Sequence, residues 1–383
     1  MAGRITTTDA FRGEWPKYFN QNIDSLQKKL QNYVKLMGER LRQRNNIPEY
    51  TYDLLNAGTG QVFIYGRIYA RFQEDDPDET LTDKNAEIQL HPDFQDIQCL
   101  KLDYKDKVNI PGLFKGQIIA AQGIFDTDVF HATQIFTDCR TSPPSPLSDD
   151  FKTRIIAVNG PYVKESFEEC QKLNEAIRSY DPEIVIFMGP FARKDCKLLH
   201  CENCEWTAVD LTTRVISILG ETIENPIFIP AIDDCLAIPT IPRPPLQINT
   251  PHILLGDPVF ITIQHEMRIM ATANDLQRMI AKQYNGAGNT RRKEIPRQIA
   301  LQASACPVMD PAVQYQYLSS LIPDGDSPHL MITSTVFFDL NEDVDGTKVV
   351  LVRHNPGAVL TFTVIDVNGN HYSIEVKNGF NQQ

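Results

Sequence analysis

Four residues with soft metal-binding side chains fall within nine positions of the sequence. They are Cys196, His200, Cys201 and Cys204. Thiolates and imidazoles bind zinc, and two cysteines separated by two residues have the bite that a tetrahedral zinc ion needs. Adjacent His200 and Cys201 rarely reach one ion, however, and a lone Cys-x2-Cys is a weak signal. We therefore favour surface thiols over a zinc site.

Three polar segments, each following a short apolar run, are the next candidates. They are residues 159–162 (NGPY), 189–195 (GPFARKD) and 230–234 (PAIDD). If the apolar runs are neighbouring parallel strands, these segments meet at the carboxyl edge of one sheet, where α/β proteins place their sites. Chemistry is therefore expected at these three strand ends.

Two histidines and one basic run are weaker candidates. His252 and His265 have no nucleophile in a recognisable motif around them, which favours ordinary packed or surface histidines. Residues 285–297 (NGAGNTRRKEIPR) form a glycine-rich basic segment. Its cationic side chains are Arg291, Arg292, Lys293 and Arg297. Because no aromatic residue is interleaved with them, we favour a solvated flexible loop over a nucleic-acid contact.

Composition limits the classes of protein to which the chain can belong. The 383 residues carry a net charge of −12, and 42% of them are hydrophobic, which is typical of globular proteins with a sizeable core. Overall acidity argues against a protein that mainly grips phosphate backbones. The first residues lack the apolar region of a signal peptide, and eight scattered cysteines suit a reducing compartment. We expect a soluble intracellular protein.

The first 140 residues divide into an arm and a predicted barrel. Apolar residues recur every three or four positions from Phe19 to Leu41, which predicts an amphipathic helix within residues 14–44 of the arm, 1–56. Its apolar stripe is expected to pack on the same chain rather than on a partner. Five short strands are predicted at 61–72, 85–90, 98–102, 116–125 and 130–136. An OB-fold over 57–140 fits that count, and the acidic run at 74–79 favours a structural or partner-binding barrel over a single-strand binder.

The remaining chain follows a proline- and serine-rich linker, 141–150 (TSPPSPLSDD). Strand and helix patterns then alternate: strands at 154–158, 183–188 and 226–229, and helices at 166–178 and 208–219. Further strands are predicted at 259–263, 329–333, 349–353 and 360–367. Continuous apolar strands separated by helices indicate sheets buried on both faces. The sequence thus predicts two packed sheets flanked by helices over 151–383.

Motifs spread over more than 300 residues resemble the B subunits of replicative DNA polymerases, most closely those of eukaryotic DNA polymerase alpha–primase. In chain order they are LTDKNAEIQL at 81–90, GLFKGQ at 112–117, GPY at 160–162, DPEIVI at 181–186, GPF at 189–191, PRPP at 242–245, DP at 257–258 and NPG at 355–357. Each is weak alone, but their shared order is specific. Lys115 replaces the family's proline, Asp257 replaces an asparagine, and ASACP at 303–307 stands where the family has RSFYP. These departures indicate a divergent member.

The resemblance implies a calcineurin-type phosphoesterase domain after the barrel, but without its metal ligands. An active member holds two metal ions with Asp, His and Asn side chains. Here NGP at 159–161 lacks both a carboxylate and an imidazole, Pro190 replaces the bridging aspartate, and AID at 231–233 lacks Asn and His, as does CPVM at 306–309. Only Asp195, with Asp233 or Asp234, remains. We therefore predict no catalytic, cofactor-binding or metal-binding residues.

The function that the resemblance implies is a nuclear, non-catalytic scaffold. It would bind the C-terminal domain of the polymerase alpha catalytic subunit and the primase subunits, with at most weak or indirect DNA contact. The alternatives are a B subunit of polymerase delta or epsilon, a metal-dependent phosphodiesterase, and a single-strand-binding protein. The family usually carries a further N-terminal helical domain on a flexible tether, so the sequence is either truncated or naturally short.

Overall fold

The computed structural model describes most of the chain. The described residues are 5–9, 23–70, 81–94, 97–104, 112–200, 206–285, 291–308, 314–315, 321–323, 325–337, 339–354 and 360–378. The described α-helices are α1 (Ile23–Arg44), α2 (Glu168–Arg178), α3 (Ala208–Gly220), α4 (Leu276–Ala281) and α5 (Arg291–Leu301). None of them is long and apolar enough to cross a membrane.

The strands fall into a barrel, two large sheets and one two-stranded pair. The barrel strands are β2 (Val62–Ala70), β3 (Ala86–Leu90), β4 (Cys99–Asp103), β5 (Ile118–Asp126) and β6 (Val129–Phe136). The next strands in the chain are β7 (Lys152–Asn159), β8 (Ile184–Met188), β9 (Pro226–Ile229), β10 (Thr240–Ile241), β11 (Ile253–Leu254), β12 (Val259–Ile263) and β13 (Met267–Thr272). The last are β14 (Gln314–Tyr315), β15 (Leu330–Thr335), β16 (Leu340–Val344), β17 (Thr347–Arg353), β18 (Thr361–Asn368) and β19 (His371–Asn378), while β1 (Ile5–Asp9) opens the described chain.

The predicted five-stranded barrel is present and closed, in the order β2-β3-β4-β6-β5. All pairs are antiparallel except β4–β6, which is parallel. The β5–β6 register shifts between Gln122 and Gly123, a β-bulge that bends the strand. A side chain at Gly123 would lie 2.2 Å from the carbonyl oxygen of His131, so the bend requires glycine. The acidic run at 74–79 lies outside the described residues.

Helix α1 packs on this barrel, as its apolar stripe predicts. Tyr33, Met37 and Leu41 are buried and share a core with the barrel strands. A Cβ atom at Gly38 would lie 2.3 Å from the ring of Tyr65, so glycine lets the helix backbone rest on that ring. The expectation that the helix packs on its own chain is confirmed.

The second half of the chain contains two six-stranded sheets. The first has the order β11-β9-β8-β7-β18-β19 and the second β1-β12-β13-β15-β17-β16. Apolar side chains from both sheets form one buried cluster between them, whereas α2 and α3 cover the other face of the first sheet. The predicted arrangement of packed sheets with flanking helices is therefore present.

Two segments differ from the expectations. Residues 291–297 of the predicted flexible loop belong to helix α5 (Arg291–Leu301), whose Ile295 and Ile299 are buried. Ile5–Asp9 of the predicted separate arm pairs with Val259–Ile263 as an edge strand of the second sheet. Both outcomes depend on packing between segments that are distant in the sequence, which local periodicity does not reveal.

The proline- and serine-rich segment 141–150 lies against the sheets. The Thr141 hydroxyl donates a 2.7 Å hydrogen bond to the Gly325 carbonyl, and the His329 ring lies 2.7 Å from the Ser145 carbonyl oxygen. Leu147 is buried in the core between the two sheets. Hydrogen bonds and the buried Leu147 side chain therefore hold residues 141–150 against the sheets.

Buried polar contacts also join the barrel to α5 and the residue after it. The Gln302 amide accepts a 3.0 Å hydrogen bond from Ile118 N–H, and it donates to the Ile118 and Thr137 carbonyls at 3.1 and 2.9 Å. Gln117 donates to the Gln298 side chain at 2.9 Å. Each of these glutamine side chains is buried, so losing one partner would leave the other unsatisfied.

We predict that Gln302→Ala weakens this junction, because three buried backbone groups lose their partner at about 1 kcal/mol or more each. The measurement is limited proteolysis: the parent chain should resist cleavage within 141–150, and the variant should be cut there faster. Gln171→Ala, at an exposed position of α2, is the control and should behave as the parent. Rapid cleavage of the parent into two independently folded fragments would contradict a rigid junction.

Candidate functional site

The three polar segments meet at one edge of the first sheet, as expected. Strands β7, β8 and β9 are parallel neighbours, so their carboxyl ends lie side by side. A Cβ atom at Gly160 would lie 2.2 Å from the Pro190 carbonyl oxygen, and one at Gly189 would lie 2.2 Å from a carboxylate oxygen of Asp234. Glycine at both positions therefore permits the close approach of the three loops.

Asp234 faces inward and binds the backbone of these loops. One carboxylate oxygen accepts hydrogen bonds from Phe191 N–H and, at 3.3 Å, from Ala192 N–H; the other accepts from Ala231 N–H at 2.8 Å. Burial raises the pKa of Asp234 to about 7, and the three backbone donors oppose that rise. Its oxygens are thus engaged in holding the loops together.

An aromatic pair lies beneath the same loops. The rings of Tyr162 and Phe191 stack with centroids 5.5 Å apart, and both residues are buried. The Tyr162 hydroxyl lies 3.0 Å from the Val158 carbonyl oxygen and 2.8 Å from that of Met188, joining the ends of β7 and β8. The GPY and GPF motifs therefore build the loops rather than a pocket for ligands.

Asn159, the last residue of β7, links the two sheets. Its amide nitrogen donates to the Ser334 hydroxyl at 2.6 Å and to the Val352 carbonyl at 3.1 Å. Ser334 and Val352 belong to β15 and β17 of the second sheet. The carboxyl ends of both sheets are thus joined through this buried side chain.

The remaining charged groups lie near the surface. The Arg193 guanidinium donates to the Asp195 carboxylate at 3.0 Å and lies 3.9 Å from that of Asp233. His354 directly follows β17. Burial lowers the pKa of His354, the negative charge of Asp233 opposes that change, and the positive charge of Arg193 adds to it. His354 is not among the residues that the motifs mark as candidates; its position directly after an apolar strand is the sequence signal that points to it.

Taken together, the donors at this edge do not fit two metal ions. Asp234 is engaged by backbone N–H groups, Asn159 by the second sheet, and Asp195 by the Arg193 guanidinium. Asp233 and His354 remain, which are too few to hold two metal ions. Within the described part of the chain, no three His, Cys, Asp or Glu side chains are grouped so that they could hold a metal ion.

The cysteine cluster is described only in part, because Cys201 and Cys204 lie outside the described residues. The Cys196 thiol is buried and lies 3.6 Å from the Lys164 carbonyl oxygen. The His200 ring lies 2.5 Å from the Lys194 carbonyl oxygen, which accepts a hydrogen bond from it. The buried Cys196 thus differs from the surface thiol that the sequence favours.

His252 and His265, the two histidines considered as catalytic bases, lie in a packed site and in a tight turn. The His252 ring lies 5.7 Å from that of Phe228 and beside Gly220, where no Cβ atom would fit. His265 lies in the tight turn between β12 and β13 with a φ of 61°. Among the described residues, neither His252 nor His265 forms a hydrogen bond with the three loops that follow β7, β8 and β9, which we call the carboxyl-end loops. This agrees with the packed or surface role expected of both histidines.

The PRPP and DP motifs meet in a buried ion pair. The Arg243 guanidinium donates to the Asp257 carboxylate at 2.8 Å and to the Pro230 carbonyl at 2.9 Å, and both charged side chains are fully buried. Asn274 donates to the same carboxylate at 2.6 Å. Because Pro230 begins the third carboxyl-end loop, this cluster fixes that loop to the second sheet.

A groove of about 410 Å³ lies between α1 and the barrel. Its apolar lining includes Leu30, Val34, Phe94 and Ile97, and its polar lining includes Gln31 and Gln98. The groove is open to solvent and mixes apolar surface with neutral hydrogen-bonding groups, which suits a polypeptide segment better than a small ionic ligand.

Comparison with known proteins identifies relatives for part of the chain. Residues 155–337 match the family model that describes the B subunits of DNA polymerases alpha and epsilon. The B subunit of DNA polymerase alpha from Drosophila melanogaster is 21% identical over 216 residues, which are 54% of this chain and 35% of the fly protein. The chain thus spans about a third of the length of that relative.

Two solved structures overlap the chain more loosely. An archaeal phosphodiesterase is 12% identical, with 58% of this chain and 99% of its own covered at a TM-score of 0.29. Vacuolar Protein Sorting 29 from Cryptosporidium parvum is 9% identical, with 60% and 98% covered at a TM-score of 0.32. The similarity to the B subunits of replicative DNA polymerases therefore depends on the two sequence matches, each of which spans about half of this chain.

Proposed function

We propose that the chain is a non-catalytic scaffold subunit of a DNA polymerase alpha–primase complex in the nucleus. In this proposal the barrel is an OB-fold, the two sheets are a phosphoesterase-like unit without its metals, and the partners are the C-terminal domain of the catalytic subunit and primase. The observation that carries the proposal is Asp234: the best-placed buried carboxylate of the carboxyl-end loops binds three backbone N–H groups of its own chain. A B subunit of polymerase delta or epsilon is the alternative within the family.

The groove between α1 and the barrel supports a docking role. A permanent complex of this kind is expected to bury more than about 2,000 Å² with an apolar centre, and the groove offers apolar side chains next to half-buried Gln31 and exposed Gln98. Residues 51–383 carry a net charge of −16, obtained from −12 for the chain and +4 for residues 1–50. That charge would steer a basic partner during encounter, whereas burial would dominate the affinity.

Co-expression with the C-terminal domain of the polymerase alpha catalytic subunit tests this role. The complex should remain intact in gel filtration at about ten times physiological ionic strength, where the Debye length is roughly 3 Å. Gln31→Arg with Gln98→Arg, which places two charges in the groove, should weaken the complex, and exposed Gln171→Arg on α2 should not. Dissociation of the parent complex at high salt would contradict an interface dominated by burial.

The phosphodiesterase alternative makes a separate prediction. Purified chain incubated with Mn²⁺ and bis-para-nitrophenyl phosphate should release no more nitrophenol than a buffer blank, because the donors at the carboxyl edge do not fit two metal ions. Saturable turnover that is lost in Asp195→Ala would overturn the non-catalytic assignment.

A further inference from the structure

The most concentrated positive charge in the described chain surrounds the junction of α4 and α5. Residues 278–293 contain five cationic residues and no Asp or Glu, so this stretch carries +5 and the rest of the chain −17. The five are Arg278, Lys282, Arg291, Arg292 and Lys293, and all are exposed. Arg297, one turn further along α5, adds a sixth exposed cation that lies 4.0 Å from Glu294. We call these six residues the cationic surface.

The cationic surface is held in place by packing rather than carried on a free loop. The Arg291 guanidinium donates to the Tyr284 carbonyl at 2.9 Å, so the start of α5 is adjacent to the residues that follow α4. Asn285 N–H donates to the Leu113 carbonyl at 3.0 Å, and the Asn285 side chain accepts from Leu113 N–H at 2.7 Å. These contacts fix Tyr284, Asn285 and the start of α5 beside the barrel, so a ligand need not bear the cost of ordering these residues.

The aromatic residues nearby are engaged in packing. Tyr284 is buried, with its hydroxyl accepting a 3.1 Å hydrogen bond from Gly112 N–H and the Arg291 guanidinium 6.0 Å from its ring centroid. The Tyr104 hydroxyl accepts a hydrogen bond from the Asn285 amide. Neither ring offers a free face for stacking on an unpaired base, so the surface has cations without a described stacking platform.

The composition of the surface indicates the chemistry of its ligand. Four of the six cations are arginines, whose planar guanidinium groups match phosphate oxygens and remain charged at any physiological pH. The nearest described carboxylates are few: Asp275 caps α4, Glu294 is half-buried, and Asp83 lies near Tyr104. A polyanion with closely spaced charges fits this surface best.

We propose that the cationic surface binds the phosphodiester backbone of a nucleic acid, without reading its sequence. The proposal is independent of the scaffold role, since the groove beside α1 and this surface involve different residues. Binding by phosphate contacts alone should favour duplex over single-stranded DNA, because the duplex has the higher charge density and no base-stacking partner compensates. The acidic remainder of the chain opposes binding at long range, so the affinity should be modest and should fall steeply with salt.

The test uses the full chain and fluorescein-labelled 30-nucleotide DNA, duplex and single-stranded, in fluorescence anisotropy from about 50 to 200 mM salt. With four to six phosphates contacted, log K should fall against log salt with a slope of about −4 to −5 for the duplex. Lys282→Glu, Arg292→Glu and Lys293→Glu together should weaken binding at least about tenfold at 50 mM salt and reduce the slope by about 3. This variant keeps Arg291 on Tyr284, and an unchanged thermal midpoint will show that it is folded.

A matched control variant introduces the same change in net charge at other exposed positions. It carries Lys152→Glu in the first sheet, Arg214→Glu in helix α3 and Lys164→Glu in a carboxyl-end loop. This triple variant should retain the parent's affinity to within about threefold, which is the effect expected of net charge alone at moderate salt. Equal losses of affinity in both variants would overturn the proposal. Polyglutamate and unlabelled DNA should also be compared as competitors at the same concentration of negative charge. If polyglutamate competes as well as DNA, the ligand is an acidic polypeptide and the proposal is overturned.

Discussion

Replacing Arg243 by alanine is expected to destabilise the protein by about 3 to 5 kcal/mol. Arg243 and Asp257 are fully buried and 2.8 Å apart, so removing the guanidinium leaves an uncompensated carboxylate in the interior. The same change removes the donor to the Pro230 carbonyl. Urea unfolding followed by circular dichroism at pH 7 measures the loss.

Two comparison variants sharpen this prediction. Lys35→Ala breaks the 2.8 Å pair with Asp93, whose side chains are 52% and 40% exposed, and should cost less than about 1 kcal/mol. Arg243→Met combined with Asp257→Leu removes both charges and should be less damaging than Arg243→Ala alone. A loss from Arg243→Ala as small as that from Lys35→Ala would show that the buried pair does not stabilise the fold.

The second large effect is expected at Asp234. Asp234→Ala leaves three backbone N–H groups without their acceptor, at about 1 to 3 kcal/mol for each group that stays buried. Asp234→Asn keeps one accepting oxygen but places an amide N–H₂ against one of the backbone donors. We therefore expect both variants to be destabilised, with alanine the more severe, in the same unfolding experiment.

The pH dependence of this effect has a definite sign. Burial raises the pKa of Asp234 to about 7, above its value in the unfolded chain. A raised folded-state pKa contributes stability that is complete below the unfolded pKa and is lost as the pH rises through about 7. The advantage of the parent over Asp234→Asn, which does not titrate, should thus be smaller at pH 8 than at pH 5, by about 2 kcal/mol. An advantage that grows with pH would mean that the three N–H donors outweigh burial and hold the carboxylate ionised.

These two residues also explain motifs that the sequence alone marks without a reason. Asp257 of the DP motif supplies the counter-ion of Arg243 in the PRPP motif. Asp234 occupies the space beside Gly189, so the glycine of the GPF motif and the aspartate after β9 depend on each other. In both cases residues from separate motifs form one buried polar cluster.

The elements governed by local pattern could be predicted from the sequence. Strand β12 has the predicted bounds, Val259–Ile263, and β9 agrees equally well, because a short apolar run between turn residues has few alternatives. Helix α1 follows from its apolar spacing. Helix α5 does not: glycines precede it and Pro296 is its sixth residue, so local preference opposes a helix that forms where Ile295 and Ile299 are buried.

By itself, the sequence determined the order of the elements that have a clear local pattern, the succession of barrel and sheets, and the motifs that carry the resemblance, since these depend on residue type and spacing along the chain. Only the tertiary structure decided what the candidate residues do. Asp234 turns toward backbone N–H groups, residues 141–150 pack on the sheets, and the basic residues of α5 stand on an anchored helix. Asp234 bonds to Phe191 and Ala192, more than 40 positions away, Thr141 bonds to Gly325, and α5 depends on the burial of Ile295 and Ile299. Such partners cannot be read from local sequence, because the free energy that orients a side chain comes from the groups it meets after folding.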